Sequence, residues 1–190
     1  MADQGAADAL GDAIVRILAD IFHVMNRVST PKDWPMGALF ARAFSDAIFI
    51  MNKEDYDTVC AALQDTGSTF DKQLAKDSAW LFSRIRRHVP PPAELRTRLV
   101  TFWDLWKDAT DTDTGRKIFG DDAVKAFNNI LKLVDAGHLS DPADVQLYYP
   151  QYVDKFNLQN WRCIRGTNIN ESVHNKIREC LDTENCSIEL

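Results

Sequence analysis

Several things are scarce in this 190-residue chain, and each scarcity removes a class of function. The four cysteines, Cys60, Cys163, Cys180 and Cys186, are scattered and form no C-x-x-C pair. That spacing encodes no zinc ribbon and reads as reduced thiols in a cytosolic or nuclear protein. No apolar run approaches the roughly 18 residues a membrane span needs, so no membrane partner is expected. The N-terminus lacks a basic region followed by an apolar core, so it does not read as a signal peptide. Positive charge is also short: 22 Lys and Arg stand against 28 Asp and Glu, a net charge of −6 that argues against a protein coating nucleic acid generally. There is no internal repeat and no low-complexity segment.

Apolar residues are plentiful, at 45% with five Trp and ten Phe, enough for one real core. Most of the chain carries helical periodicity. Residues 36–51 place Phe40, Ala43, Phe44, Ala47 and Ile48 on one stripe. Asn52 caps a helix to about Gln64 that Gly67 ends. Ser68 or Thr69 opens a third helix expected to reach His88. Pro90-Pro91-Pro92 forces a corner, and a fourth helix runs to about Ala109. A fifth runs from Asp121 or Asp122 to Ala136, with Val124, Phe127, Leu131 and Val134 inward and Gly137 as its stop. Trp34, in the loop after the first helix, is expected to pack onto the core. Val145–Tyr149 reads as an edge strand or crossing segment ended by Pro150, and residues 151–160 as loop. Asp111 and Asp113 suggest a calcium loop, but the remaining ligands are missing.

The stretch richest in functional residue types is Arg165-Gly166-Thr167-Asn168-Ile169-Asn170-Glu171-Ser172-Val173-His174. It follows a short run from Trp161 that reads as a strand, and it opens a helix to about Leu181. Glu171 and His174, three apart, share a face of that helix. A carboxylate in the first turn is kept ionised by the helix dipole, which suits a metal ligand. It is equally what a capping box requires. Near the other end, Ile14–Ala19 reads as a strand, followed by Asp20 and a helix that reaches about Arg27. An Asp at the carboxyl end of a buried strand is where α/β folds place functional groups. Asp20 and His23 are again three apart. The chain thus carries D-x-x-H after its first strand and E-x-x-H after its last.

Asp-x-x-His after a strand, a long helical stretch, then Gly-Thr-Asn-x-x-Glu-x-x-His resembles the C-terminal half of a DDE transposase domain. The likeness is to the Mutator-like and related eukaryotic type found in transposon-derived fungal genes, and spans about Val15 to Leu190. Pro90-Pro91-Pro92, Gly137-His138-Leu139-Ser140-Asp141 and the Cys163–Asn168 run add to it. The resemblance implies a mainly α fold with a small β component. It would be a truncated RNase H-like core of about two strands, from residues 1–30 and 145–190, with a helical insertion at 31–144. It implies that Asp20 and Glu171 are the second and third catalytic carboxylates and Mg²⁺ ligands, with His23 and His174 in support. Pairing of Trp161–Arg165 beside Ile14–Leu18 would bring the two carboxylates together.

The family's first Asp, on an upstream hairpin, has no counterpart in the nineteen residues before Asp20. Two-metal chemistry needs carboxylates holding ions roughly 4 Å apart, and two carboxylates hold one Mg²⁺ weakly. The expectation is a degenerate or domesticated transposase relative, inactive alone and at most binding DNA or protein. A homo-oligomer, or a partner supplying the missing strands, would complete it. The alternative is an α-helical interaction domain with no catalytic role. A metalloenzyme built on Asp20, His23, Glu171 and His174 ranks below both, since carboxylate-bridged helical sites need more carboxylates. The one long net-basic stretch, Trp80 to Lys107, holds six Lys or Arg against two Asp or Glu. Arg84, Arg86, Arg87, Arg96 and Arg98 then form either a phosphate-contacting patch or a solvated face with helix-end charges.

Overall fold

In a computed structural model, residues 18–165 can be described. They are mainly α-helical with a small β component, as the sequence predicts. Helix α1, Ile21–Met25, is capped by Asp20, whose side chain accepts from the backbone N–H of Phe22 and His23 at 2.8 and 3.3 Å. It stops short of Arg27. The strand expected at Ile14–Ala19 is not seen at Leu18 and Ala19, and residues 14–17 lie outside the described residues. The Ala19 N–H donates instead to the His138 carbonyl, 2.8 Å away, which ties this segment to the turn after the last helix.

Helix α2, Gly37–Ile48, buries Phe40, Phe44 and Ile48 as the stripe requires. Strand β1, Ile50–Met51, follows at once. Asn52 then caps helix α3, Lys53–Asp65, by accepting from the Asp55 N–H, and Gly67 ends the turn at φ 71°. That left-handed conformation is one that glycine adopts without steric cost.

The single helix expected from Ser68 or Thr69 to His88 is in fact two short ones. Helix α4 is Phe70–Lys76 and helix α5 is Ser78–Phe82. The break falls at Asp77, which is extended at φ −158° and ψ 86°, and whose carboxylate accepts from the Trp80 N–H at 2.9 Å. An aspartate that can bond the backbone two or three residues ahead offers it an alternative to continuous helix. Arg87–His88 is strand β2, antiparallel to β1 with Ile50 opposite His88 and Met51 opposite Arg87.

Proline opens helix α6, Pro92–Trp106, where its missing N–H costs nothing. Helix α7 is Asp121–Asp135. Its buried face is Phe127, Ile130 and Val134, turned from the expected stripe: Val124 is exposed, and Ile130 replaces Leu131 as the fully buried member. Gly137, at φ 72°, closes it.

The remaining strands form a hairpin. β3, Tyr148–Val153, pairs antiparallel with β4, Gln159–Cys163, with Tyr148 opposite Cys163 and Pro150 opposite Trp161. Pro150 was expected to end the strand, and residues 151–160 to be loop. The strand instead runs through the proline, with a register irregularity between Pro150 and Val153. Irregular and edge positions are where a sheet tolerates a residue without an N–H. Asp154 builds the turn by accepting from the N–H groups of Phe156 and Leu158 at 2.8 and 3.0 Å, with Asn157 left-handed at φ 58°.

Two apolar clusters hold these elements. The larger joins Ile21, Val24 and Val28 to the inner faces of α2, α6 and α7, so the first helix packs directly on the central helices. Trp34 seals it as expected, edge-on to Trp106 and Phe119 at 5.9 and 6.1 Å. The smaller gathers Val59, Leu63, Leu74, Leu81, Ile85 and Leu158. Among the described residues no helix is long and apolar enough to cross a membrane.

Candidate functional site

The start of α1, the end of α2, the end of α5, β2 and the open ends of the hairpin surround a cleft of about 480 Å³. Asp20, Phe49, Phe82, Arg87, Tyr148 and Arg165 are among the residues lining it. Its floor is an ionic network with Arg165 at the centre. The Arg165 Nε donates to Asp141 Oδ1 at 2.8 Å, and its Nη2 to the other carboxylate oxygen. The same Nη2 also donates to the Arg87 carbonyl at 3.1 Å. Asp141 accepts in addition from the Val89 N–H at 2.9 Å, and the Tyr148 hydroxyl accepts from the Arg87 N–H at 2.9 Å. These bonds fasten β2 to the hairpin and to the turn after α7.

Burial would push the Arg165 guanidinium down, but its bonds to Asp141 and that carboxylate's charge leave it above its ordinary value. Burial pushes the Tyr148 phenol up, so it keeps its proton. Arg87 is pushed down, first by burial and further by the charge of Arg165.

Asp20 stands on the wall of this cleft, its side chain 11% exposed and its Oδ1 3.5 Å from Nδ1 of the exposed His23. A smaller cavity of about 230 Å³ brings Asp20 beside Ile164 and Arg165, and Asp141 lines it too. Ile164 and Arg165, the last described residues, therefore share this cavity with Asp20. Glu171 and His174 lie outside the described residues, so their distance from Asp20 and His23 is outside them as well. The pairing expected for Trp161–Arg165 beside Ile14–Leu18 falls on residues 14–17, outside the described residues; the described partner of β4 is β3.

Among the described residues no group of three or more His, Cys, Asp or Glu is placed to hold a metal ion. Asp20 supplies one carboxylate to the cleft, and both oxygens of Asp141 are engaged by Arg165. That set does not fit a two-ion centre, which needs several carboxylates around ions roughly 4 Å apart.

The five arginines of the basic stretch part company. Arg84 pairs with Asp154 and stacks over Trp80 at 4.1 Å. Arg86 grips Asp55 through Nε and Nη2 at 2.7 and 2.9 Å and lies over Trp161. Arg96 pairs with Asp135 at the surface. Arg98 donates to the Asp46 and Ala47 carbonyls at 2.6 and 3.0 Å, closing the C-terminal end of α2. Arg87 differs. Its guanidinium lies over Phe82 at 4.1 Å and Phe49 at 4.7 Å, and among the described residues no carboxylate pairs with it.

Sequence reasoning did not find Asp141, Tyr148 and Arg165 as one network. In sequence they stand apart, Asp141 in the run after the last helix, Tyr148 in the edge segment and Arg165 at the end of a strand. No periodic signal links residues that meet only when the hairpin folds onto β2. No family model matches the chain, and no curated protein or solved structure is significantly similar to it.

Proposed function

We propose that the chain is a transposase-derived protein carrying the second and third carboxylates of a DDE site, and that it acts by binding DNA or protein rather than by cutting DNA alone. One observation carries this reading. Asp20 lines the same cavity as Ile164 and Arg165, which precede the Glu171 motif in sequence, although Asp20 itself lies near the other end of the chain. This proximity supports the reading, in which Asp20 and Glu171 belong to one site. Asp20 and Glu171 are then ligands for one weakly held Mg²⁺, with His23 and His174 in support. In an intact relative such ions drive phosphodiester hydrolysis and strand transfer. Here the truncated RNase H-like core would act in the nucleus or the cytoplasm, as a homo-oligomer or with a partner supplying further strands. The second reading, an α-helical interaction domain, is favoured by exposed apolar side chains such as Phe22 and Leu105, 70% and 78% exposed.

Mn²⁺ titration of the whole chain separates the two. Asp20→Asn keeps the helix cap, because Asn caps as well as Asp, while removing the charge. The transposase-derived reading expects saturable Mn²⁺ binding that weakens at least about tenfold in Asp20→Asn and in Glu171→Gln, a loss of roughly 1.4 kcal/mol each. Absence of metal binding by the unaltered chain leaves the interaction domain.

A further inference from the structure

A guanidinium taken out of water is costly unless something compensates it, and buried arginines are almost always paired. Buried Arg84 and half-buried Arg86 and Arg98 follow that rule, each with a carboxylate or carbonyl acceptor, and exposed Arg96 pairs with Asp135 as well. Arg87, also half-buried, does not follow it. Two phenyl faces, Phe49 and Phe82, offset part of the cost by cation–π attraction. Neither accepts an in-plane hydrogen bond, so among the described residues its fork has no acceptor. The lowered pKa of Arg87 is the same deficit seen as a proton affinity. Arg165, the other guanidinium of the cleft, is already neutralised by Asp141.

Tyr148 supplies a second donor. Its hydroxyl oxygen accepts from the Arg87 N–H and, at 3.5 Å, from Arg165 Nη1. Both are donors only, so the phenolic hydrogen is left to point elsewhere, and among the described residues nothing accepts it. A planar fork and a hydroxyl donor, opening on one cleft, match the oxygens of a phosphate group better than a single carboxylate's two.

We propose that Arg87, with the Tyr148 hydroxyl, forms an anion site in this cleft that takes a phosphate group. The source is a DNA strand or free phosphate. Preferring the strand rests on the transposase-derived reading, whereas the anion site stands without it.

The whole chain is titrated at low salt in EDTA with inorganic phosphate by calorimetry, and with a short fluorescein-labelled single-stranded DNA by anisotropy. At least one probe binds saturably. Arg87→Gln weakens it at least about tenfold, the loss of one charge-assisted hydrogen bond. Arg87→Lys, which keeps the charge and the packed stem, loses less. DNA binding much tighter than phosphate assigns the site to a strand, and equal binding assigns it to the free ion. Failure of both probes to bind the unaltered chain overturns the proposal, whether or not the variants fold. So does equal binding by a folded Arg87→Gln chain. Because metal is absent, these outcomes are independent of the Mn²⁺ result at Asp20.

Discussion

Arg84 and Asp154 form an ion pair buried on both sides, with Nη2 2.7 Å from Oδ2 and side chains 8% and 9% exposed. It joins the turn after α5 to the tip of the β3–β4 hairpin. The Nη1 of Arg84 is used as well, on the Trp80 carbonyl and the Ser83 hydroxyl, both at 2.9 Å. Removing one member strands the other charge in a place water reaches poorly. Arg84→Ala is expected to lower unfolding free energy by about 3–5 kcal/mol, read from urea denaturation. The double variant Arg84→Leu with Asp154→Leu should cost less than Arg84→Ala. A single variant within about 0.5 kcal/mol of the unaltered chain would refute the role assigned to the pair.

The same aspartate sets part of the acid response. Burial pushes the Asp154 carboxyl up, but the Leu158 N–H, Arg84 and the Phe156 N–H outweigh it and leave it below the usual value. A depressed carboxylate contributes stability that is fully present above its unfolded pKa and is lost as pH falls through its folded one. Stability should therefore decline below about pH 4, and Asp154→Asn should flatten that decline while lowering stability at neutral pH. Thermal unfolding followed between pH 7 and pH 3 tests both arms.

Phe44 and Phe102 stack with centroids 4.8 Å apart and planes 9° from parallel, in the middle of the larger cluster. Phe40 and Trp106 crowd the same spot, with Phe40 centred 5.2 Å from Phe102. A void there has little chance of collapsing. Phe44→Ala is expected to cost about 3–5 kcal/mol, whereas Phe44→Leu, which keeps most of the volume, should cost clearly less. Chemical denaturation of the two variants side by side gives the comparison.

At the hairpin tip Asn157 holds φ 58°. Asparagine tolerates this region and glycine prefers it, while a β-branched side chain meets its own carbonyl. Asn157→Gly should be close to neutral. Asn157→Val should cost about 1–2 kcal/mol and broaden the amide signals of the Asp154 turn in an NMR spectrum. Equal stability of the two variants would show that the turn relaxes.

What could be read from the sequence was local. The boundaries of α2, α3, α6 and α7 come from signals within a few residues of each end: the Asn52 cap, the Pro92 start, the Gly137 stop and the apolar stripes between them. Those signals act through backbone dihedrals and side-chain spacing, which every sequence displays directly. Trp34 could be placed because so large an apolar side chain has little alternative to the core.

Tertiary contacts decided the rest. Whether Asp77 caps a new helix or sits inside a longer one depends on what Leu74 and Leu81 pack against, and both fill the smaller cluster. Pro150 is tolerated within a strand because it stands at an irregular point of a two-stranded ladder, where the missing N–H costs little. The basic stretch contained five arginines with no mark on any of them. Three found carboxylates 31 to 70 residues away in the chain, and Arg98 found the end of a helix. Arg87 was left between two rings. Charge pairing is set by distance in space, and an arginine looks the same in sequence whether or not folding brings it an acid.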